Sequence, residues 1–282
     1  MILVTGATGT VGRELVAELA RRGAKVRALS RDPSAAAFPA GVETVAADLG
    51  HPETLGLALA GIEQVFMLAT GPDRLAHETF LAAAARRAGA ARLVKLSALT
   101  VEDGTAADVI TRWHRAAEQV VTGSGLAWTI LRPGAFMSNA LRWAGMIRHQ
   151  GQVFAPFTSV RTAAIDPADV AASAAAVLLE DGHYGQAYPL TGPEPISARD
   201  QAAVLGEVLG RDIAITEIPA EASRQRMIAA GTPAQIADAV LATAAGAGTG
   251  PGTLVQPAVR QLTGRPPRTF RDWASRHAAA FR

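Results

Sequence analysis

Apolar residues recur along the first half of the chain in two alternating rhythms. Short apolar runs at Ile2–Val4, Lys25–Leu29, Glu43–Ala46, Gln64–Leu68, Arg92–Leu96 and Ala127–Leu131 read as strands. Longer stretches with helical spacing separate them. In Val11–Arg22 the apolar positions Val11, Leu15, Val16 and Leu19 share one helix face, and Gly23 stops the helix. Further helices are predicted over Pro52–Leu59, Arg74–Ala88 and Thr105–Thr122. Six strands alternating with helices predict an α/β fold, a doubly wound parallel sheet covered on both faces.

After Pro133 the rhythm changes. Helical patterns appear at Asn139–His149, Pro167–Leu179, Ala198–Leu209, Glu221–Ala230, Pro233–Ala245 and Phe270–Phe281. Asp166 is placed to cap the helix that Pro167 opens. Gln152–Ala164 reads as mostly extended and Gln186–Leu190 as one more strand. This half lacks the strands for a large sheet of its own. It predicts a small, mostly helical lobe over the sheet's carboxyl edge, where open α/β folds bind ligands.

Thr5-Gly6-Ala7-Thr8-Gly9-Thr10-Val11-Gly12 follows the first strand and opens the first helix. In that position Gly6 permits a sharp turn, Gly9 lets backbone N–H groups approach a pyrophosphate, and Gly12 lets helix and strand pack closely. The helix N-terminus adds free donors and a positive dipole end. The chemistry is dinucleotide binding through Gly6, Thr8, Gly9, Thr10, Val11 and Gly12. At the end of the second strand Ser30 stands where an acidic residue would hold a ribose 2′-hydroxyl, and Arg31 follows. Ser30 leaves room for a 2′-phosphate and Arg31 can pair with it, so NADPH is the expected cofactor. The implied division is a Rossmann NADP-binding domain over 1–132 and 160–192, with a substrate-binding lobe over 133–159 and 193–282.

The chain has 282 residues, 18% charged and 49% hydrophobic, a globular composition. The net charge of +2 argues against a dedicated nucleic-acid binder. Cysteine is absent, which excludes disulfides, thiolate-ligated metals and cysteine nucleophiles and fits a cytoplasmic location. Residues Met1–Gly6 do not resemble a signal peptide. The uncharged run Ala239–Val259 is broken by Gly and Pro, so no membrane span is expected. The six His show no metal-ligand spacing.

Several segments, in order along nearly the whole chain, resemble the NmrA-like atypical short-chain dehydrogenase/reductases. They are the glycine turn, Arg31-Asp32-Pro33, Asp48-Leu49, Thr129–Phe136, Ile165–Val170 and Thr263–Phe270. The resemblance implies Asp48 and Leu49 by the adenine, Leu68, Ala69 and Thr70 along the cofactor, and Pro133, Gly134 and Ala135 near the nicotinamide carboxamide. Members of the wider superfamily use Ser with Tyr-x-x-x-Lys. This chain has only Tyr184, Tyr188, Lys25 and Lys95, and no lysine stands four residues after a tyrosine. Aligned on Glu118 and the Ser124-Gly125-Leu126 turn, Ile110 takes the Tyr place and His114 the Lys place.

Two candidate catalytic residues remain. Ser97 ends the fifth strand, the place the resemblance implies for the catalytic Ser, where its hydroxyl would bond a substrate oxygen. His114 is the titratable group nearby whose ordinary pKa suits proton donation near neutrality. Leu99, Trp113, Phe136, Asn139, Trp143, Phe154 and Phe157 are candidate substrate residues, aromatic enough for a flat apolar ligand. The expected activity is NADPH-dependent reduction of a carbonyl or quinone on such a molecule, by a monomer or weak homodimer. The alternative is a non-catalytic NADP sensor of the NmrA type. A sugar-nucleotide epimerase ranks last, because that chemistry relies on the missing Tyr.

Overall fold

The structure is a computed structural model that describes residues 1–35 and 37–282. Its strands are β1 (Ile2–Val4), β2 (Val26–Ser30), β3 (Glu43–Ala46), β4 (Gln64–Met67), β5 (Arg92–Leu96), β6 (Ala127–Pro133), β7 (Gln152–Ala155), β8 (Arg161–Thr162), β9 (Gln186–Leu190), β10 (Ile196–Ser197) and β11 (Ala214–Glu217). The helices are α1 (Thr10–Arg21), α2 (Leu55–Leu59), α3 (Arg74–Arg87), α4 (Val109–Thr122), α5 (Ala144–Gln150), α6 (Pro167–Leu179), α7 (Ala198–Leu209), α8 (Ala220–Ala229), α9 (Ala234–Gly246), α10 (Ala258–Thr263) and α11 (Phe270–His277).

Seven strands pair in parallel in the order β3-β2-β1-β4-β5-β6-β9. The chain moves outward from β1 to β3, then returns to add β4 on β1's other edge. The strand order reverses between β1 and β4, and the carboxyl ends of strands at such a switch point are where these sheets bind ligands. Thr5 joins the two edges there. Its hydroxyl donates to Leu68 O at 2.9 Å and accepts from Leu68 N at 2.8 Å.

Each sheet face carries its own apolar layer. Val11, Leu15, Val16 and Leu19 of α1 pack with α6 and α10 on one face. Leu55, Leu59, Leu81 and Ala85 of α2 and α3 cover the other. Burying one such aliphatic side chain stabilises by roughly 1.5–3 kcal/mol. Helix α6 is buried along nearly its whole length, and its alanines let α1, the sheet and α10 approach. Asp166 caps it as expected, accepting from Ala168 N at 2.9 Å.

A third apolar cluster gathers around Met137, Ile147, Leu205, Phe270, Trp273 and Phe281. Two small sheets frame it, β7 with β11 in parallel and β8 with β10 antiparallel. The buried carboxylates Asp166 and Asp169 pair with Arg276 and Arg268, which ties α11 to the start of α6.

Several boundaries differ from the sequence expectation. Helix α4 starts at Val109, because Asp108 caps it by accepting from Thr111 N, and residues 105–108 lie outside it. Asn139–His149 is a 3-10 turn over Met137–Trp143 followed by α5. The extended stretch 152–164 is two strands parted by a turn at Phe157, whose φ of 53° is left-handed. Strands β10 and β11 and helix α10 were not expected.

Candidate active site

The glycine turn has the form that a pyrophosphate requires. Gly6 sits at φ 62°, and a side chain on Gly12 would lie 2.1 Å from Gly6 O. Helix α1 therefore packs against the turn itself. Its N-cap is Gly9, which offers no capping side chain, so the N–H groups of the first turn are left for an anion. Thr8, Gly9 and Thr10 are exposed, and Val11 and Gly12 are buried. This is a cradle into which a dinucleotide phosphate fits.

Around the cradle, Ser30 is buried and its hydroxyl donates to Asp32 O at 2.9 Å, so it shapes the turn that carries exposed Arg31. Asp48 accepts from Gly50 N at 2.9 Å, and Leu49 packs on the α2–α3 side. Leu68 lies against Gly6. Ala69 is buried and Thr70 exposed. Gly134 N donates to Leu190 O, and Ala135 O accepts from Ile165 N, which fixes the loop after buried Pro133.

Between the sheet and helices α3 and α4 lies a polar layer. Three segments supply two residues each: Arg74 and Glu78 from α3, Lys95 of β5 with Ser97 just after it, and His114 and Glu118 from α4. The i, i+4 and i, i+2 spacings make each pair face the same way. Lys95 is fully buried; its Nζ donates to Glu78 Oε1 and Leu96 O, both at 2.8 Å. Burial pulls the Lys95 ammonium below its usual range, and the Glu78 carboxylate opposes that shift. Ser97 donates to Glu118 Oε1 at 2.6 Å. Glu118 also binds Arg132 through both oxygens, at 3.0 and 2.6 Å.

His114 departs from its expected behaviour. Burial, then the nearby Lys95 and Arg74 cations, push its pKa down to about 3. The ring is neutral near neutrality and does not titrate between pH 5 and 8. Its Nε2 lies 3.3 Å from Arg74 Nη1, and its buried Nδ1 has no hydrogen-bond partner. Arg74 lies over the Trp113 ring at 4.8 Å, and burial lowers its pKa.

The substrate candidates are spread over several elements. Leu99 is buried beside Gly134. Phe136 bridges to Ile165, and Trp143 packs on the lobe core. Exposed Asn139 accepts from Arg142, Phe154 lies under Arg226, and half-buried Phe157 sits at its turn. A groove where α9 meets α4 is lined by residues such as Arg112, Gln235 and Asp238 and by none of these candidates. Arg74, Glu78 and Arg132 escaped the sequence reading. The four-residue spacing of Arg74 and Glu78, just after the cofactor-lining segment, was the available signal.

The NAD(P)H-binding family matches residues 6–181. Over its full length the chain is 46% identical to a (4-alkanoyl-5-oxo-2,5-dihydrofuran-3-yl)methyl phosphate reductase of Streptomyces griseus, covering 99% of that protein. It is 39% identical, again over its full length and 99% of the relative, to an NAD(P)H azoreductase of Xenophilus azovorans. Among solved structures, an NADPH-dependent quinone oxidoreductase of Escherichia coli complexed with NADPH superposes with a TM-score of 0.85 at 26% identity, over 98% of this chain and 99% of that one. An NmrA structure shares the fold, with a TM-score of 0.77 at 20% identity over 97% of this chain and 94% of that one. No helix among the described residues is long and apolar enough to cross a membrane. The chain belongs to the NAD(P)H-binding family, is an oxidoreductase, and shares its fold with NmrA.

Proposed function

We propose that the protein is an NADPH-dependent reductase of a carbonyl or quinone on a bulky, flat, apolar molecule, working without a Tyr–Lys pair. One observation carries the reading: a pyrophosphate cradle in a chain alike over its full length to reductases named for a dihydrofuranone phosphate and for azo compounds. The superposed structure is named for quinones. Such acceptors share a conjugated, electron-poor π system. The charge left on reduction is delocalised, so an acceptor of this kind needs less acid catalysis from the protein.

When bound, the nicotinamide supplies the hydride. The first turn of α1 takes the pyrophosphate, and Arg31 pairs with the 2′-phosphate that separates NADPH from NADH. Asp48 and Leu49 meet the adenine. Leu68 to Thr70 and Pro133 to Ala135 line the remaining length. His114 is the candidate donor to the reacting oxygen. Ser97 has the lesser share, because its proton already serves Glu118. Leu99, Trp113, Phe136, Asn139, Trp143, Phe154 and Phe157 bound the acceptor. The missing Tyr–Lys pair favours a second reading, an NADP-binding regulator without turnover. NADPH oxidation against quinones, polycyclic ketones, conjugated furanones and azo compounds separates the two. Turnover with any of them supports the enzyme; binding of NADPH with no turnover supports the regulator.

A further inference from the structure

Arg74 Nη1 and His114 Nε2 lie 3.3 Å apart. A guanidinium has donors only and keeps its proton in proteins. The hydrogen bond therefore makes Nε2 the acceptor, and a neutral ring must then carry its proton on Nδ1. That Nδ1 is buried and meets no partner among the described residues. A buried donor without an acceptor costs free energy, so it is a place to look for a ligand atom.

Arg74 is itself held in place. Its Nε donates to Gly71 O at 3.0 Å, and its guanidinium lies over Trp113. The charged groups around the imidazole are Arg74 and Glu78 from α3, Lys95 from β5, and Glu118 one turn along α4. With Lys95 and Arg74 both disfavouring a second proton, geometry rather than pH decides where the one proton sits.

We propose that Arg74 is a positioning residue: it fixes His114 in the Nδ1–H tautomer, so that the buried imidazole proton is held as a donor for an acceptor oxygen of the bound substrate. Only the identity of that oxygen, carbonyl or quinone, rests on the reductase reading. The missing Tyr–Lys pair is thereby replaced by a neutral donor set by a cation on a neighbouring helix.

The test is the tautomer of His114 in protein with nitrogen-15-labelled histidine, read from two-bond nitrogen–proton correlations and assigned with a His114→Gln variant. The expected wild-type spectrum shows the Nδ1–H form, unchanged from about pH 5 to 8, the range in which an ordinary His titrates. Arg74→Met should move the ring toward the Nε2–H form, still neutral because burial and Lys95 remain. Arg74→Lys, still a cation and a donor, should restore Nδ1–H. An Nε2–H or doubly protonated ring in the wild type overturns the proposal, as does an unchanged Nδ1–H ring in Arg74→Met. If Arg74→Met does not fold, the wild-type spectrum decides alone. Nδ1–H with no turnover of any acceptor keeps the positioning and removes the reductase reading. Turnover with an Nε2–H ring does the reverse.

Discussion

Ser97 gives its hydroxyl proton to Glu118 at 2.6 Å, and the same carboxylate grips Arg132 through both oxygens. A residue placed at the end of β5 for chemistry is thus also part of a buried charge network. Ser97→Ala should lower stability by ~1.5–3 kcal/mol, the range for a hydrogen bond to a charged group. Its effect on kcat should stay below the ~2.7–4 kcal/mol seen when a true oxyanion donor is removed. Urea unfolding and steady-state kinetics on one variant check both. A full oxyanion-sized loss in kcat at unchanged stability would put the hydroxyl on the reacting oxygen.

Lys95 and Glu78 are both fully buried and bonded at 2.8 Å. Lys95→Met leaves an uncompensated carboxylate, and the expected loss is ~3–5 kcal/mol. Adding Glu78→Gln should restore much of it, because the stranded charge is gone. A double-mutant cycle by denaturant unfolding measures the coupling. Additive losses would show that the two side chains do not act as a pair.

The His114 ring stays neutral in the fold down to about pH 3, whereas an ordinary His takes up its proton near 6.5. The unfolded chain therefore binds the extra proton first as pH falls. This contribution to stability is fully present above about 6.5 and is lost progressively down to about 3, at up to about 1.4 kcal/mol per pH unit. His114→Leu should flatten the acid limb of stability against pH across that window. Parallel limbs in the two proteins would show that burial does not hold the ring neutral.

Exposed Arg31 follows Ser30 at the end of β2, beside the cradle. Arg31→Ala should weaken NADPH binding by ~1.5–3 kcal/mol and leave NADH nearly unchanged. Calorimetric titration of both cofactors reads this directly. Equal affinity for the two in the unaltered protein would remove the 2′-phosphate role.

The parallel sheet was legible because its strands are short apolar runs bounded by glycine and by amphipathic helices. The cradle was legible because Gly6, Gly9 and Gly12 act within one local turn. Helix α4 was read too long because an aspartate cap, Asp108, follows a polar stretch that has no apolar phase. Strand β11 is not legible because its mostly exposed residues gain strand character only by pairing with β7. The polar layer was illegible for a different reason. Its side-chain contacts join residues 14 to 40 positions apart, such as Glu118 with Arg132 and Arg74 with His114, and no local pattern encodes such partners. The depressed pKa of His114 comes first from burial under those same tertiary contacts and then from the distant Lys95 and Arg74 cations.

The central claim is hydride delivery from NADPH to a conjugated acceptor. The most direct measurement is the decay of NADPH absorbance in a single turnover with a quinone or conjugated furanone, comparing NADPH with the form deuterated at the transferred C4 position. The account predicts stoichiometric loss of NADPH that is slower with deuterium. Tight NADPH binding with no decay against any acceptor in the panel would contradict it, and would leave the chain as a dinucleotide-binding regulator.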